Sequence, residues 1–406
     1  MYQQSGGVER IFIVLVFACL PLNHALALGA FANITMLSAV VWFAMISLRV
    51  KHINIKLFIR TAWLPLVMLA IGSLSILMHL IAGRDMVNIQ LYLSMKANFF
   101  LLVFCFAIVN IIRIDNIEFV LKCIKAGLVV AILFGVLDFL LTNFSGINSD
   151  DYIYRYSNSE NPGKLYLLIR ARSFFSEPGF FSAYIILVAG VISYYDRILK
   201  TNSKYIYILS VFGIAVALSN IGFLLASIAT AAWLIRSRRI YFTVGILAFI
   251  FVLSQISNDE FKFYVDALLN KYTLVDEYSA ADRLSKYDDA IDFLGRMSFV
   301  DVILGASPGA YIQRYGTGPV NFYILLFIDY GLIAFFLVLI YLGVSIIKAA
   351  YPASLVMTLL AINLFFIQDY YFIYIYVCIA LFQFGSTHIN QLQTRFACVP
   401  LGKSAD

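Results

Sequence analysis

The stretch Thr61-Ala-Trp-Leu-Pro-Leu-Val-Met-Leu-Ala-Ile-Gly-Ser-Leu-Ser-Ile-Leu-Met-His-Leu-Ile-Ala82 decides the fold class. It contains no Asp, Glu, Lys or Arg. It is also longer than the ~20 residues an α-helix needs to cross a ~30 Å hydrocarbon core. Lipid offers no water to backbone N–H and C=O groups, so such a segment crosses as a helix that satisfies them internally. Arg49, Lys51, Lys56 and Arg60 precede it. An apolar run with a basic cluster at one end is the unit from which the rest of the chain is built.

Working outward, similar runs lie near 11–23, 28–48, 97–112, 124–143, 176–196, 203–219, 221–235, 240–256, 319–346, 351–367 and 370–386. Together they predict an all-α polytopic membrane protein with about twelve transmembrane helices and one integral membrane domain over 1–406. Ser219-Asn220 is the sole break between the seventh and eighth runs. Composition agrees: 62% of residues are hydrophobic and 13% charged, against about 25% charged in a soluble domain. Tyr194, Tyr195, Tyr205, Tyr207, Tyr370 and Tyr371 stand at run ends, where amphipathic rings favour the headgroup zone.

The net charge of +6 sits in short clusters between runs, so it reports topology and not nucleic-acid binding. With twelve spans, the cluster at 49–60 shares one face with Arg113, Lys122 and Lys125, with Arg197, Lys200 and Lys204, and with Arg236, Arg238 and Arg239. Lys348, Arg395 and Lys403 join them, which makes that face cytoplasmic and puts both termini there. The other face then carries 83–96 and two large polar loops, 144–175 and 257–318. Loops of that length are uncommon unless functional or disordered, and their aromatic and aliphatic content disfavours disorder. They are expected to fold over the membrane opening.

Cys19, Cys105 and Cys378 fall within apolar runs, and Cys123 and Cys398 on the cytoplasmic side, so no disulfide framework is implied. His24, His52, His79 and His388 lack metal-ligand spacing, and no metal or other cofactor is expected. The run at 11–21 followed by Ala25-Leu26-Ala27 has the outline of a signal peptide, but Arg10 beside Glu9 makes a poor basic region. It is read as a first span.

Chemistry concentrates in Arg170-Ala-Arg-Ser-Phe-Phe-Ser-Glu-Pro-Gly179, which ends the first large loop. Pro178 suits the first position of a helix and pushes Glu177 out of helical geometry. The helix therefore starts at the outer surface with its N-terminal N–H groups facing outward, and Arg170 and Arg172 lie just upstream. Helix dipole, free N–H groups and guanidiniums all favour an anion such as phosphate or pyrophosphate. The plainer alternative is that both arginines contact lipid headgroups or loop carboxylates and Glu177 caps the helix.

Residues Arg170 through Pro178 resemble the R-A-x-x-x-F-S-E-P signature of Wzy-type O-antigen polymerases, in the O-antigen polymerase and ligase superfamily. The layout of spans and loops is similar along nearly the whole chain. The stretch from Arg283 through Gly305 and Gly309 to Asn321-Phe-Tyr and Gly331 resembles the family's late loop. Ligases carry His before that Asn, where this chain has Val320, so a catalytic His is not carried over. The resemblance implies a GT-C-like glycosyltransferase that polymerises undecaprenyl-pyrophosphate-linked oligosaccharides at the periplasmic face of a bacterial inner membrane. Membrane lipids, a chain-length regulator and a flippase would be its partners. Its implied site has Glu177 as base and Arg170 and Arg283 as catalytic cations, with Arg172, Arg314, Asn321 and Lys96 binding substrate. A ligase and a lipid-linked oligosaccharide flippase or transporter are the rivals.

The other charges read more plainly. Asp276, Glu277, Asp282, Lys286, Asp288, Asp289, Asp292 and Arg296 form a mixed-sign helical stretch laced by i, i+4 pairs such as Asp282 with Lys286 and Asp292 with Arg296. Arg314 beside Tyr311 and Tyr315 suits either sugar stacking or the interface. Asp138, Lys96 and Asp369 fall toward outer span ends, where snorkelling accounts for them, and His79 is read as a satisfied packing residue.

Overall fold

The computed structural model describes residues 7–23, 34–47, 54–83, 89–147, 164–165, 168–175, 177–237, 277–316, 318–319, 321–349, 351–365 and 372–397. The expected span at 240–256, the first part of the second loop, His24, His52, Arg238, Arg239, Asp369, Tyr370, Tyr371 and Cys398 lie outside these residues, as do the side chains of Asp282 and Arg283.

The described helices are α1 (Gly7–Ile13), α2 (Ile34–Ser47), α3 (Ile55–Ile81), α4 (Ile89–Ile111), α5 (Ile117–Leu140), α6 (Pro178–Leu199), α7 (Lys204–Ala217) and α8 (Asn220–Ser237). They continue with α9 (Glu277–Gly295), α10 (Phe299–Leu304), α11 (Ala310–Tyr315), α12 (Phe322–Lys348), α13 (Ala353–Asn363) and α14 (Ile373–Ala397). β1 (Lys164–Leu165) and β2 (Leu168–Ile169) form a short antiparallel ladder in the first loop. Among the described residues five helices, Ile55–Ile81, Leu91–Ile111, Ile117–Ser145, Pro178–Leu199 and Phe322–Lys348, are long and apolar enough to cross a membrane. Shorter apolar helices cover 35–45, 204–217, 221–232 and 353–363. The protein is helical and embedded in a membrane.

Helix starts follow from local chemistry. Asn54 opens α3 by accepting the Leu57 N–H at 3.1 Å, and Pro178 opens α6 where its missing N–H leaves no bond unmade. The seventh and eighth runs part at Leu218, which adopts φ 46°, and Ser219 Oγ accepts the Gly222 N–H at 3.4 Å. The first run is less regular, with α1 passing into a π-helical turn over Val14–Ala18 and a 3-10 turn over Leu20–Asn23.

The core gathers around α6. Of its apolar window 72% is buried, against 39% to 50% in the other four long helices. Helices α5, α7, α8, α13 and α14 all pack on it. From Pro178 to Tyr195 it carries no Asp, Glu, Lys or Arg, which suits such a central position. The motif thus opens the most enclosed of the long helices.

The two ends of the bundle differ. At one end Lys125 Nζ meets Asp196 Oδ1 at 3.3 Å and Ser203 Oγ at 2.6 Å, and Arg197 Nη1 donates to Tyr351 O at 3.1 Å. There too Tyr341 Oη donates to Arg60 O at 2.7 Å, so basic clusters far apart in sequence lie on one face. The described parts of both loops, within 164–175 and 277–316, lie at the other end, called here the loop face.

Candidate functional site

The arginine turn is held from below. Residues 170–175 are irregular and must place their backbone donors outside any ladder. Asp138, near the C-terminal end of α5 and 5% exposed, takes two of them: its Oδ2 accepts the N–H of Arg172 at 3.1 Å and of Ser173 at 3.2 Å. Ser173 adopts φ 53° and donates its hydroxyl to Ala131 O at 2.7 Å. Asn143 acts as an extra strand edge, accepting from Ile169 N at 2.6 Å and donating to Ile169 O at 2.9 Å. The Ala171 N–H reaches Val216 O on α7 at 3.1 Å. Phe174 stacks on Phe134 at 4.4 Å, and Phe175 is buried against Phe181, Tyr184 and Tyr374. Asp138 thus lies toward the end of its span as expected, but as a buried acceptor for backbone and not as a snorkelling side chain.

From this anchored turn the three motif side chains go different ways. Arg172 is only 3% exposed, Arg170 is half-buried, and Glu177 is exposed. Glu177 holds the N-cap position of α6 with φ −135° and ψ 149°, and its side chain makes no capping hydrogen bond. The start of α8 lies alongside, since Ser182 sits directly against Gly222 and Gly179 faces Ser219 and Ile221. The N-termini of α6 and α8, with their partial positive charge, thus lie side by side just after the arginine turn in the chain.

A second polar centre lies on the loop face where α12 breaks. Gly331, inside this membrane-length helix, has φ 74° and ψ −176°. A Cβ there would overlap Ile303 O and Gly305 N; one on Gly305, itself at φ 89°, would overlap Asp329 O. Only glycines allow this approach, which seats residues 303–309 of the second loop in the notch. Ala306 N donates to Ile328 O at 2.8 Å and Gly309 N to Asp329 Oδ2 at 2.9 Å. Asp329 is buried, and its Oδ1 has no hydrogen-bond partner among the described residues. Tyr330 Oη meets Ser94 Oγ at 2.9 Å and accepts from Asn98 Nδ2 at 3.1 Å.

His79 ties α3 to the same loop. Its Nε2 lies 2.7 Å from Asp301 Oδ1 and its Nδ1 2.7 Å from Ser75 O. Asp301 also closes a capping box with Ser298 at the start of α10, and Ser75 Oγ donates to Gly305 O at 3.1 Å. The expected packing histidine is thus a buried partner of a loop carboxylate. Neither Asp301 nor Asp329 stood out in the sequence. The signal for Asp329 was an ionisable residue within an apolar run, followed by glycine two positions on.

The remaining expected site residues are scattered around this frame. Asn321 caps α12, its Oδ1 accepting from Ile324 N at 2.9 Å. Lys96 is exposed on α4, its ammonium 6.0 Å and 5.9 Å from the ring centres of Tyr92 and Phe100. Arg314 is exposed on α11, which packs against α4, and lies 5.7 Å over the Tyr315 ring. The Asp292 to Arg296 pair forms as the spacing requires, at 2.7 Å, and Tyr315 Oη donates to the other Asp292 oxygen at 2.7 Å. The Tyr315 hydrogen bond, then Arg296, hold the Asp292 carboxyl below the usual carboxylate range. Arg283 lies on α9, with its side chain outside the described residues. Arg170 and Arg172 thus lie in one turn and Glu177 at the helix start that follows it in sequence, and Lys96 and Arg314 lie on helices that pack together. No family model matches the chain, and no curated protein or solved structure matches it.

Proposed function

We propose that this protein is a glycosyltransferase polymerising undecaprenyl-pyrophosphate-linked oligosaccharide repeat units at the periplasmic face of a bacterial inner membrane. In this reading it has about twelve spans in a GT-C-like arrangement, both termini in the cytoplasm and the loop face outward. The observation that supports the reading best is the Glu177-Pro178 junction: an exposed carboxylate that does not cap its own helix, seven residues after Arg170 in the chain. A hydroxyl at the non-reducing end of one unit attacks the anomeric carbon of the growing chain. The bond from that carbon to pyrophosphate breaks, and undecaprenyl pyrophosphate leaves with the bonding electrons. Glu177 takes the hydroxyl proton, while Arg170 and the two helix N-termini stabilise charge on the departing pyrophosphate.

One observation favours a different class. A broken membrane-length helix with a buried carboxylate beside the break, as in α12, is a device of transporters, and supports the flippase reading. A deletion strain separates the readings. Loss of a polymerase leaves single repeat units on the lipid A core, and loss of a ligase leaves none. Loss of a flippase traps the lipid-linked units on the cytoplasmic side. Single repeats are expected, and restoring long chains should require Arg170: Arg170→Lys impairs them and Arg170→Ala impairs them further, because an ammonium cannot reproduce the guanidinium fork. Unchanged polymer with Arg170→Ala at normal expression removes the pyrophosphate role.

A further inference from the structure

We propose that Asp138 is the positioning residue of the anion site, fixing the Arg172-Ser173 turn so that Arg170 and Glu177 face the substrate; this rests on the anion-binding reading above. Three observations converge on it. First, one carboxylate oxygen accepts two successive backbone N–H groups, at 3.1 Å and 3.2 Å, the arrangement that binds anions in backbone nests. Second, the second of those residues, Ser173, holds a left-handed φ of 53°, a conformation that a serine adopts only when its surroundings impose it. Third, the carboxylate is 5% exposed, so its bonds to the turn are charge-assisted in a site with little competing water.

A chemical consequence follows. The N–H groups of Arg172 and Ser173 are spent on Asp138, so they are not donors to the substrate. Arg172, at 3% exposure, belongs with Asp138 to the buried frame. In this reading a pyrophosphate is met by Arg170 and by the N-termini of α6 and α8, not by the amides of the turn. Asp138 touches no reacting atom; it acts through the turn.

The test uses the full-length protein in detergent, with amide exchange of the 169–177 segment and affinity for inorganic pyrophosphate measured side by side. Asp138→Ala should speed exchange at Arg172 and Ser173 by about ten- to a hundredfold, the loss expected for two charge-assisted bonds. It should also weaken pyrophosphate binding about tenfold or more. Asp138→Asn keeps an acceptor of the same shape and should fall between wild type and Asp138→Ala in both measurements, with thermal stability near wild type. This variant decides the matter if Asp138→Ala does not fold. Unchanged exchange in both variants overturns the positioning role whatever happens to affinity, and so does faster exchange with unchanged affinity. If the wild type binds no pyrophosphate, the anion reading falls and the positioning role with it; unchanged exchange alone would leave the anion reading standing.

Discussion

Glu177 is where the functional account is most exposed to test. A side chain at an N-cap earns its place structurally by accepting N–H bonds from the first turn, and substitution of a good cap costs about 1 kcal/mol. Glu177 makes no such bond. Glu177→Gln should therefore melt within a degree or so of wild type, whereas loss of a general base lowers rate by ~10² to 10⁴. Measured together, near-native rate with Glu177→Gln would return the residue to the structural column. Asp196 behaves in the opposite way. It accepts from Thr201 Oγ1 at 2.6 Å, Ser203 N at 2.9 Å, Ser203 Oγ at 3.0 Å, Tyr207 Oη at 3.2 Å and Lys125 Nζ at 3.3 Å. Asp196→Ala strands several of these donors and should cost about 2 to 4 kcal/mol, seen as a lower melting temperature without a change in pyrophosphate affinity. What was legible at this scale was local. Asp292 with Arg296 and the helix start at Pro178 follow from rules that span four residues or fewer. Asp138 was not, because the amides it binds come 34 and 35 residues later and belong to backbone, which carries no side-chain signature.

At the scale of elements, α12 carries the sharpest consequence. Its start fell near the beginning of the run expected at 319–346, and Asn321, expected to bind substrate, caps its first turn. Its break was not readable, because an apolar run of membrane length reads as one continuous helix, and a single glycine within it is compatible with an unbroken ladder. The break follows from a tertiary fact: residues 303–309 need room beside the Asp329 carbonyl. At φ 74° and ψ −176° Gly331 occupies a region essentially reserved for glycine. Gly331→Ala should therefore destabilise by ~3 kcal/mol or more, and Gly305→Ala by a similar amount. Because both added methyls would press on the same contact between residues 303–305 and 329–331, the double variant should cost less than the sum of the two. Additive losses would mean that the two glycines are strained independently. His79 with Asp301 illustrates the same limit, since the partners are 222 residues apart.

For the whole molecule, the class was readable because it rests on composition and run length, which survive any error in single boundaries. Orientation is the next level. Contacts such as Tyr341 with Arg60 and Arg197 with Tyr351 place separate basic clusters on one face. Reporter fusions after Arg60, Lys122 and Lys200 should accordingly read cytoplasmic, and fusions within 150–165 or 257–275 periplasmic; a cytoplasmic signal from both loops would reverse the site's orientation. The central claim, however, is that this one chain joins lipid-linked repeat units. The direct measurement is gel analysis of the product formed when purified protein alone is given undecaprenyl-pyrophosphate-linked repeat units in lipid. The account predicts a ladder of increasing repeat number that is lost with Arg170→Ala and strongly reduced with Glu177→Gln. Repeat units left unjoined by a folded wild-type protein, or a ladder that persists unchanged in both variants, would contradict it.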